Sequence, residues 1–353
     1  MVGGAGYVGA VLVQELLERG FAVRVLDRLY FGDRGLRGLK DRLELVSGDM
    51  RAVEPCLFED VDTVVNVGGL SNDPTAEYNP RANREMNTVA SIQLAKTAKE
   101  RGVRRYVYAS SASIYDRGIA DEDRDVVLDE TAEVDPRAAY SSSKHAAERE
   151  LLPMASADFC VVVLRKGTVF GFSPRMRYDL VVNTFVKDAL SHGVINLHYG
   201  GEMWRPLVDV RDAARAYVAV VQADAAKVNG ELFNVVYRNF RISELALRVR
   251  ETLRELGVAA ELRPQYAYAA VRNYRVSGAK IERVLGFRPT VTVEESVRTM
   301  VEQIRAGGYT DFDNPAYYNI RWMRTLEEAQ KVIRVTGGVF DLPRSSPLPP
   351  AEG

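Results

Sequence analysis

Apolar residues along this chain follow two patterns in turn. Continuous apolar runs at 22–27, 43–46, 61–67, 104–109, 161–165 and 231–235 have the length and β-branched character of strands buried on both faces. Between them, apolar positions recur at helical spacing in 10–19, 80–101 and 209–222, and two further helices are predicted at 242–256 and 293–304. This succession of strand, loop and helix predicts an α/β fold, a doubly wound parallel sheet with a ligand crevice at the carboxyl ends of its strands. The alternation lapses after Arg165. A first domain is therefore expected at 1–165, with 205–240 returning to it, and a smaller interleaved α/β domain at 166–204 and 241–310. The remainder, 311–353, is a C-terminal extension whose end, with Pro343, Pro347, Pro349 and Pro350, is expected to be disordered.

Gly3, Gly6 and Gly9 recur at three-residue intervals in Gly3-Gly4-Ala5-Gly6-Tyr7-Val8-Gly9, directly before a helix that Gly20 ends. Missing Cβ atoms let a pyrophosphate approach the unpaired N–H groups at the positive end of that helix, although a plain tight turn has the same spacing. The next strand ends in Asp27. An acid there accepts hydrogen bonds from ribose hydroxyls and repels a 2'-phosphate, which favours NAD over NADP; Arg28 softens the preference. Two more strands run into Gly48-Asp49-Met50 and Gly68-Gly69-Leu70. Only Met1 and Val2 precede the glycine turn, so the first strand of the sheet is expected to be absent or cut, with about six residues needed ahead of Met1 to complete one.

Tyr140 and Lys144 stand four residues apart, which on a helix puts a phenol and an ammonium on one face. A nearby cation lowers the phenol pKa toward the range of proton transfer, while a solvated helix face fits the same spacing. Asp135-Pro136 supplies a cap and a first-turn proline for that helix. Strand 104–109 empties into Ser110-Ser111-Ala112-Ser113-Ile114-Tyr115, and hydroxyls at such a strand end face the crevice. The order glycine turn, acid-ended strand, hydroxyl-ended strand and Tyr/Lys helix points to hydride transfer.

Over about residues 1–310 the chain resembles the extended short-chain dehydrogenase/reductases, the branch of UDP-galactose 4-epimerase and other nucleotide-sugar enzymes, which implies a Rossmann-type domain and NAD as cofactor. The resemblance makes Ser111 the catalytic hydroxyl, Tyr140 the acid/base, and Lys144 the residue that lowers the tyrosine pKa and binds the nicotinamide ribose. It implies cofactor contacts at Gly3, Gly6, Tyr7, Val8, Gly9, Asp27, Asp49, Met50, Gly69, Leu70 and Asn87. Ser113, Asn183, Arg205 and Arg272 are its candidates for the substrate, a nucleotide-diphosphate sugar. It also implies a homodimer formed through helices 80–101 and 136–152. Related 4,6-dehydratases and UDP-glucuronate decarboxylases carry acids just after the catalytic hydroxyl, where this chain has Ala112 and Ser113. Dehydration and that kind of decarboxylation are accordingly disfavoured. A 4-epimerase is expected, with a 4-ketoreductase or dehydrogenase as the alternative and a non-catalytic cofactor sensor as a more distant one.

A net charge of -1 and a sequence of 46% hydrophobic residues describe a globular chain with no electrostatic case for nucleic acid or membranes. No apolar run reaches the roughly 20 residues of a membrane span, and no signal-type segment opens the chain, so a cytoplasmic enzyme is expected. Cys56 and Cys160 are expected to be buried thiols, and His145, His192 and His198 are too scattered to hold a metal.

Overall fold

A computed structural model describes residues 1–116, 126–266 and 272–337. Its centre is a parallel sheet in two pieces. One piece runs in the order Glu231–Val235, Cys160–Lys166, Arg105–Ser111 and Thr63–Asn66, and the other pairs Arg24–Asp27 with Glu44–Ser47. Val2 stitches them together, bridging in parallel to both Leu26 and Asn66. The predicted first strand is thus reduced to the bridge at Val2, flanked by a groove lined by Met1, Val23, Arg24, Val61 and Thr63.

Alternate residues of each strand enter opposite layers, as the pleat requires. Val107, Ala109, Val162 and Leu164 pack with helices Tyr7–Glu18 and Val210–Gln222. Tyr106, Tyr108, Val161 and Val163 pack with Leu94, Ala98, Ala147 and Leu151 on the other face. The helix predicted at 80–101 is three segments end to end: Pro80–Arg84, a π turn at Glu85–Ala90, and Ser91–Glu100. π turns often mark functional positions, and this one carries Asn87.

The smaller domain holds its own core, with Phe170, Phe185, Phe240, Leu245 and Val297 in one cluster. Trp204–Asp209 pairs antiparallel with Arg238–Arg241 and parallel with Thr168–Phe170, so both ends of the stretch 205–240 join a second sheet while its middle returns to the first. Strands Val194–His198 and Glu261–Gln265 form a further parallel pair that the apolar pattern did not announce.

Two local expectations are corrected. The Tyr/Lys helix is Ala139–Leu151, capped by Ala138 in an extended conformation, so Asp135-Pro136 lies ahead of it. Cys56 is exposed, because in the turn Pro55–Phe58 it is Phe58 that is buried; Cys160 is buried as expected. The C-terminal extension contains a helix, Asn319–Thr336, that packs back on the first domain, and the proline-rich end expected to be disordered lies outside the described residues. Among the described residues no helix is long and apolar enough to cross a membrane.

Candidate functional site

The glycine turn is shaped by close contacts. A Cβ on Gly3, which has φ +79°, would lie 2.6 Å from Gly68 Cα, and one on Gly9 would lie 2.1 Å from Gly3 O. Gly6 is different: an added Cβ would meet only Gly3 O, at 3.3 Å, so its outer face is open. The helix Tyr7–Glu18 begins immediately after it with no acid in its first turn, leaving the first-turn N–H groups of Tyr7, Val8 and Gly9 free of intrahelical acceptors. An anion is favoured there.

Asp27 closes the opposite wall. Its carboxylate accepts from the N–H of Ala5 at 3.0 Å and of Leu29 at 2.8 Å, while burial pushes its pKa up. Asp49 is held by Arg28 and Arg51, each at 2.6 Å, and the hydrogen bonds from Arg51 keep its pKa down to about 2. Met50 is buried against the same groove, which Gly68 and Gly69 line from the next strand.

Asn87 tests whether a cofactor fits. Its amide nitrogen donates to Leu70 O at 2.9 Å and Asn83 Oδ1 at 2.7 Å, yet its buried Oδ1 has no partner. The space in front of that oxygen exists because Gly69, at φ +124°, has no side chain: a Cβ there would sit 2.1 Å from Asn87 Oδ1 and 3.9 Å from Lys144 Nζ. An unpaired acceptor, an ammonium and a missing side chain surround one small volume, which suits a polar group such as a nicotinamide ribose. The residues fit NAD.

Ser111 ends its strand and caps the short turn Ala112–Tyr115, accepting the Ser113 N–H at 3.2 Å. Its hydroxyl donates to Ser113 Oγ at 3.0 Å, and it lies near enough to Tyr140 to lower that phenol's pKa. Tyr140, Lys144 and Glu148 form a ladder on one face of the helix, and Glu148 is locked to Arg165 in a buried ion pair at 2.6 Å.

The electrostatics differ from the simple expectation for a Tyr/Lys pair. Burial pushes the Tyr140 pKa up to about 12, opposed by the Ser111 hydrogen bond and by the Arg177 charge. Lys144 does not offset this, because its Nζ is 6.0 Å from the Tyr140 ring centroid and burial lowers its own pKa to about 7. A second lysine shares the site. Lys166 pairs in register with Ser111, donates to Ser110 O at 3.0 Å and to the Tyr217 hydroxyl at 2.8 Å, and is likewise lowered to about 7, by burial and then by Lys144.

Stability should follow these two lysines. Below about pH 7 each is charged in both the folded and unfolded chain; between about 7 and 10.5 only the unfolded chain keeps the protons. Ligand-free protein is expected to gain resistance to urea as pH rises from 7 to 9, and Lys166→Met to show a shallower rise. A flat wild-type profile would contradict the buried placement.

The four substrate candidates divide. Ser113 is buried beside Ser111, and Arg205 donates to Trp204 O at 2.7 Å and to the carbonyl of Arg272, so both arginines converge. Arg272 pairs with Asp73 and lies 3.8 Å from Asp116. Tyr274 joins them, 5.9 Å from the Arg205 guanidinium and within electrostatic reach of Tyr140. Asn183 stands apart: it is fully buried, receives the Gly171 N–H at 2.9 Å, and donates to Tyr7 Oη, Gly171 O and Arg177 O. Its amide is wholly engaged within the chain, bracing the Tyr7 side chain between the two domains.

Arg177 was not singled out from sequence. Buried, it forks onto Asp179 at 2.8 and 3.0 Å and reaches Ser71 at 3.0 Å. The basic and aromatic mixture at 174–183 was its signal, but nothing in the pattern says that it would turn toward Tyr140.

The chain as a whole is similar to known proteins. The profile of the NAD dependent epimerase/dehydratase family matches residues 1–235. UDP-glucuronic acid decarboxylase 1 of Xenopus tropicalis is 26% identical over 314 residues, covering 86% of this chain and 71% of its own length. A putative UDP-glucose 4-epimerase of Methanocaldococcus jannaschii is 22% identical over 318 residues, covering 88% and 99%. The solved UDP-glucose 4-epimerase of Thermotoga maritima with UDP-glucose shares the fold, with a TM-score of 0.75 at 22% identity over 87% of this chain and 98% of that one. The chain therefore belongs to the NAD-dependent epimerase/dehydratase family, as an enzyme of the extended short-chain dehydrogenase/reductase type with NAD as its cofactor.

Proposed function

We propose that the enzyme is a nucleotide-sugar 4-epimerase. The observation that carries this reading is the state of the acids near Ser111, Tyr140 and Lys144. Among the described residues, Asp73 and Asp116 lie against Arg272, Glu148 against Arg165 and Asp179 against Arg177. Carboxylates held by arginine are poor general bases, so abstraction of a carbon-bound proton has no sponsor among them. Ala112 and Ser113 add none.

Redox at a hydroxyl-bearing carbon needs less. Tyr140 accepts the proton of the C4 hydroxyl while Ser111 holds the same oxygen, and in the return direction the protonated phenol donates it back. NAD, when bound, would supply the hydride acceptor and donor at C4. Arg205 and Arg272 grip the diphosphate, which leaves the sugar free to turn over between the two transfers. The uridine-diphosphate substrates named for the relatives support this substrate class.

Incubation with UDP-, dTDP-, GDP- and CDP-hexoses without added cofactor, followed by NMR, tests the reading. A C4 epimer is expected. Conversion only when NADH and a keto sugar are supplied would make the enzyme a ketoreductase, and loss of carbon dioxide from a uronic acid would make it a decarboxylase.

A further inference from the structure

The helix Asn319–Thr336 follows the residues that match the family, and it is bonded to both segments that wall the dinucleotide groove. One wall of that groove is the loop after Asp27, where Tyr30 and Phe31 line it; the other is the segment after Asn66, where Gly68 and Gly69 line it and which continues to Ser71 and the helix Asp73–Tyr78. The C-terminal helix holds both. Trp322 Nε1 donates to the carbonyl of Tyr30 on the first wall. On the second, buried Asn319 donates to Ser71 Oγ at 2.9 Å, and Glu327 accepts the Tyr78 hydroxyl at 2.5 Å.

Asn319 also links the walls through a third party. Its Oδ1 accepts from Arg175 at 2.7 Å, and the Arg175 guanidinium lies 3.6 Å from the centroid of Phe31. The chain of contacts Ser71, Asn319, Arg175, Phe31 therefore links the two walls, and Arg175 Nε is buried without a partner. Walls held to one another this way separate less readily than free loops.

We infer that the C-terminal helix governs how slowly the groove releases its cofactor: by tying the two walls together it slows the departure of NAD, with Asn319 and Trp322 as positioning residues. The tie concerns the groove as the NAD site and holds for an epimerase or a reductase alike. A resident cofactor suits a reaction that returns its hydride within one turnover, since nothing has to be exchanged.

The test uses full-length protein loaded with NADH, desalted, and chased with excess NAD, with loss of bound NADH fluorescence giving the dissociation rate. Wild type is expected to keep its nucleotide through desalting, and Trp322→Ala and Asn319→Ala to release it at least about tenfold faster at unchanged secondary structure by circular dichroism. Should Trp322→Ala fail to fold, Trp322→Phe removes the N–H donor while keeping an aromatic ring, and faster release is expected there too. Folded variants that release NADH at the wild-type rate would overturn the inference, as would a wild type that loses its nucleotide as fast as they do. Failure to convert any nucleotide sugar would sink the proposed reaction and leave these rates unaffected.

Discussion

Tyr140→Phe is expected to lower turnover by about 10²–10⁴, the range for losing a positioned general acid–base group. The ring stays and only the hydroxyl goes, and with it the interaction with Ser111. Nucleotide affinity should be nearly unchanged, because the proposed diphosphate ligands Arg205 and Arg272 and the glycine turn are left intact. The loss therefore appears in kcat with little movement in KM. Stopped-flow absorbance of reduced cofactor after mixing with the sugar nucleotide separates the chemical step from binding. Near-normal reduction in that variant would remove Tyr140 from the mechanism.

Glu148→Ala is expected to cost about 3–5 kcal/mol of stability, the usual result of stripping one partner from a buried ion pair. Arg165 donates to Glu148 through Nε and Nη2 at 2.6–3.2 Å, and its remaining bond goes to the Tyr115 hydroxyl at 2.7 Å. Truncation leaves a guanidinium in the sheet–helix interface with only that neutral partner. Replacing both residues, as Glu148→Leu with Arg165→Met, should recover most of the loss, since apolar pairs of similar volume often match a buried ion pair. Urea unfolding of the single and double variants measures it. A catalytic consequence accompanies the single change: Glu148 raises the Lys144 pKa, and without it the lysine loses its charge at lower pH.

The first domain was legible because its strands are buried on both faces and so read as unbroken apolar runs, each ending in glycine, acid or serine. Gly3 and Gly9 hold positions where close backbone approach leaves no room for a Cβ, and Ser111 ends its strand as the apolar run implies. What escaped depends on register and on hydrogen-bond accounting. Lys166 falls at the expected start of the smaller domain, and only pairing sets it at the end of the strand beside Ser111. Asn183 is a buried amide, and a sequence cannot tell donors spent within the chain from donors kept for a ligand. The apolar pattern announces no strand at Trp204–Asp209, yet that strand takes a partner on either side in the smaller sheet. The Asp135-Pro136 signal misplaced a helix start by three residues, as Ala138 stays extended at ψ 147°.

Tyr7 opens the helix that follows the glycine turn, and its hydroxyl donates to Gly171 O while accepting from Asn183 at 3.2 Å. The segment after Thr168–Phe170 is thereby fastened to the first residue of the anion-favouring helix. A substitution at Asn183 would be felt at the glycine turn through the Tyr7 ring, as a bolt loosened on one plate shifts the other.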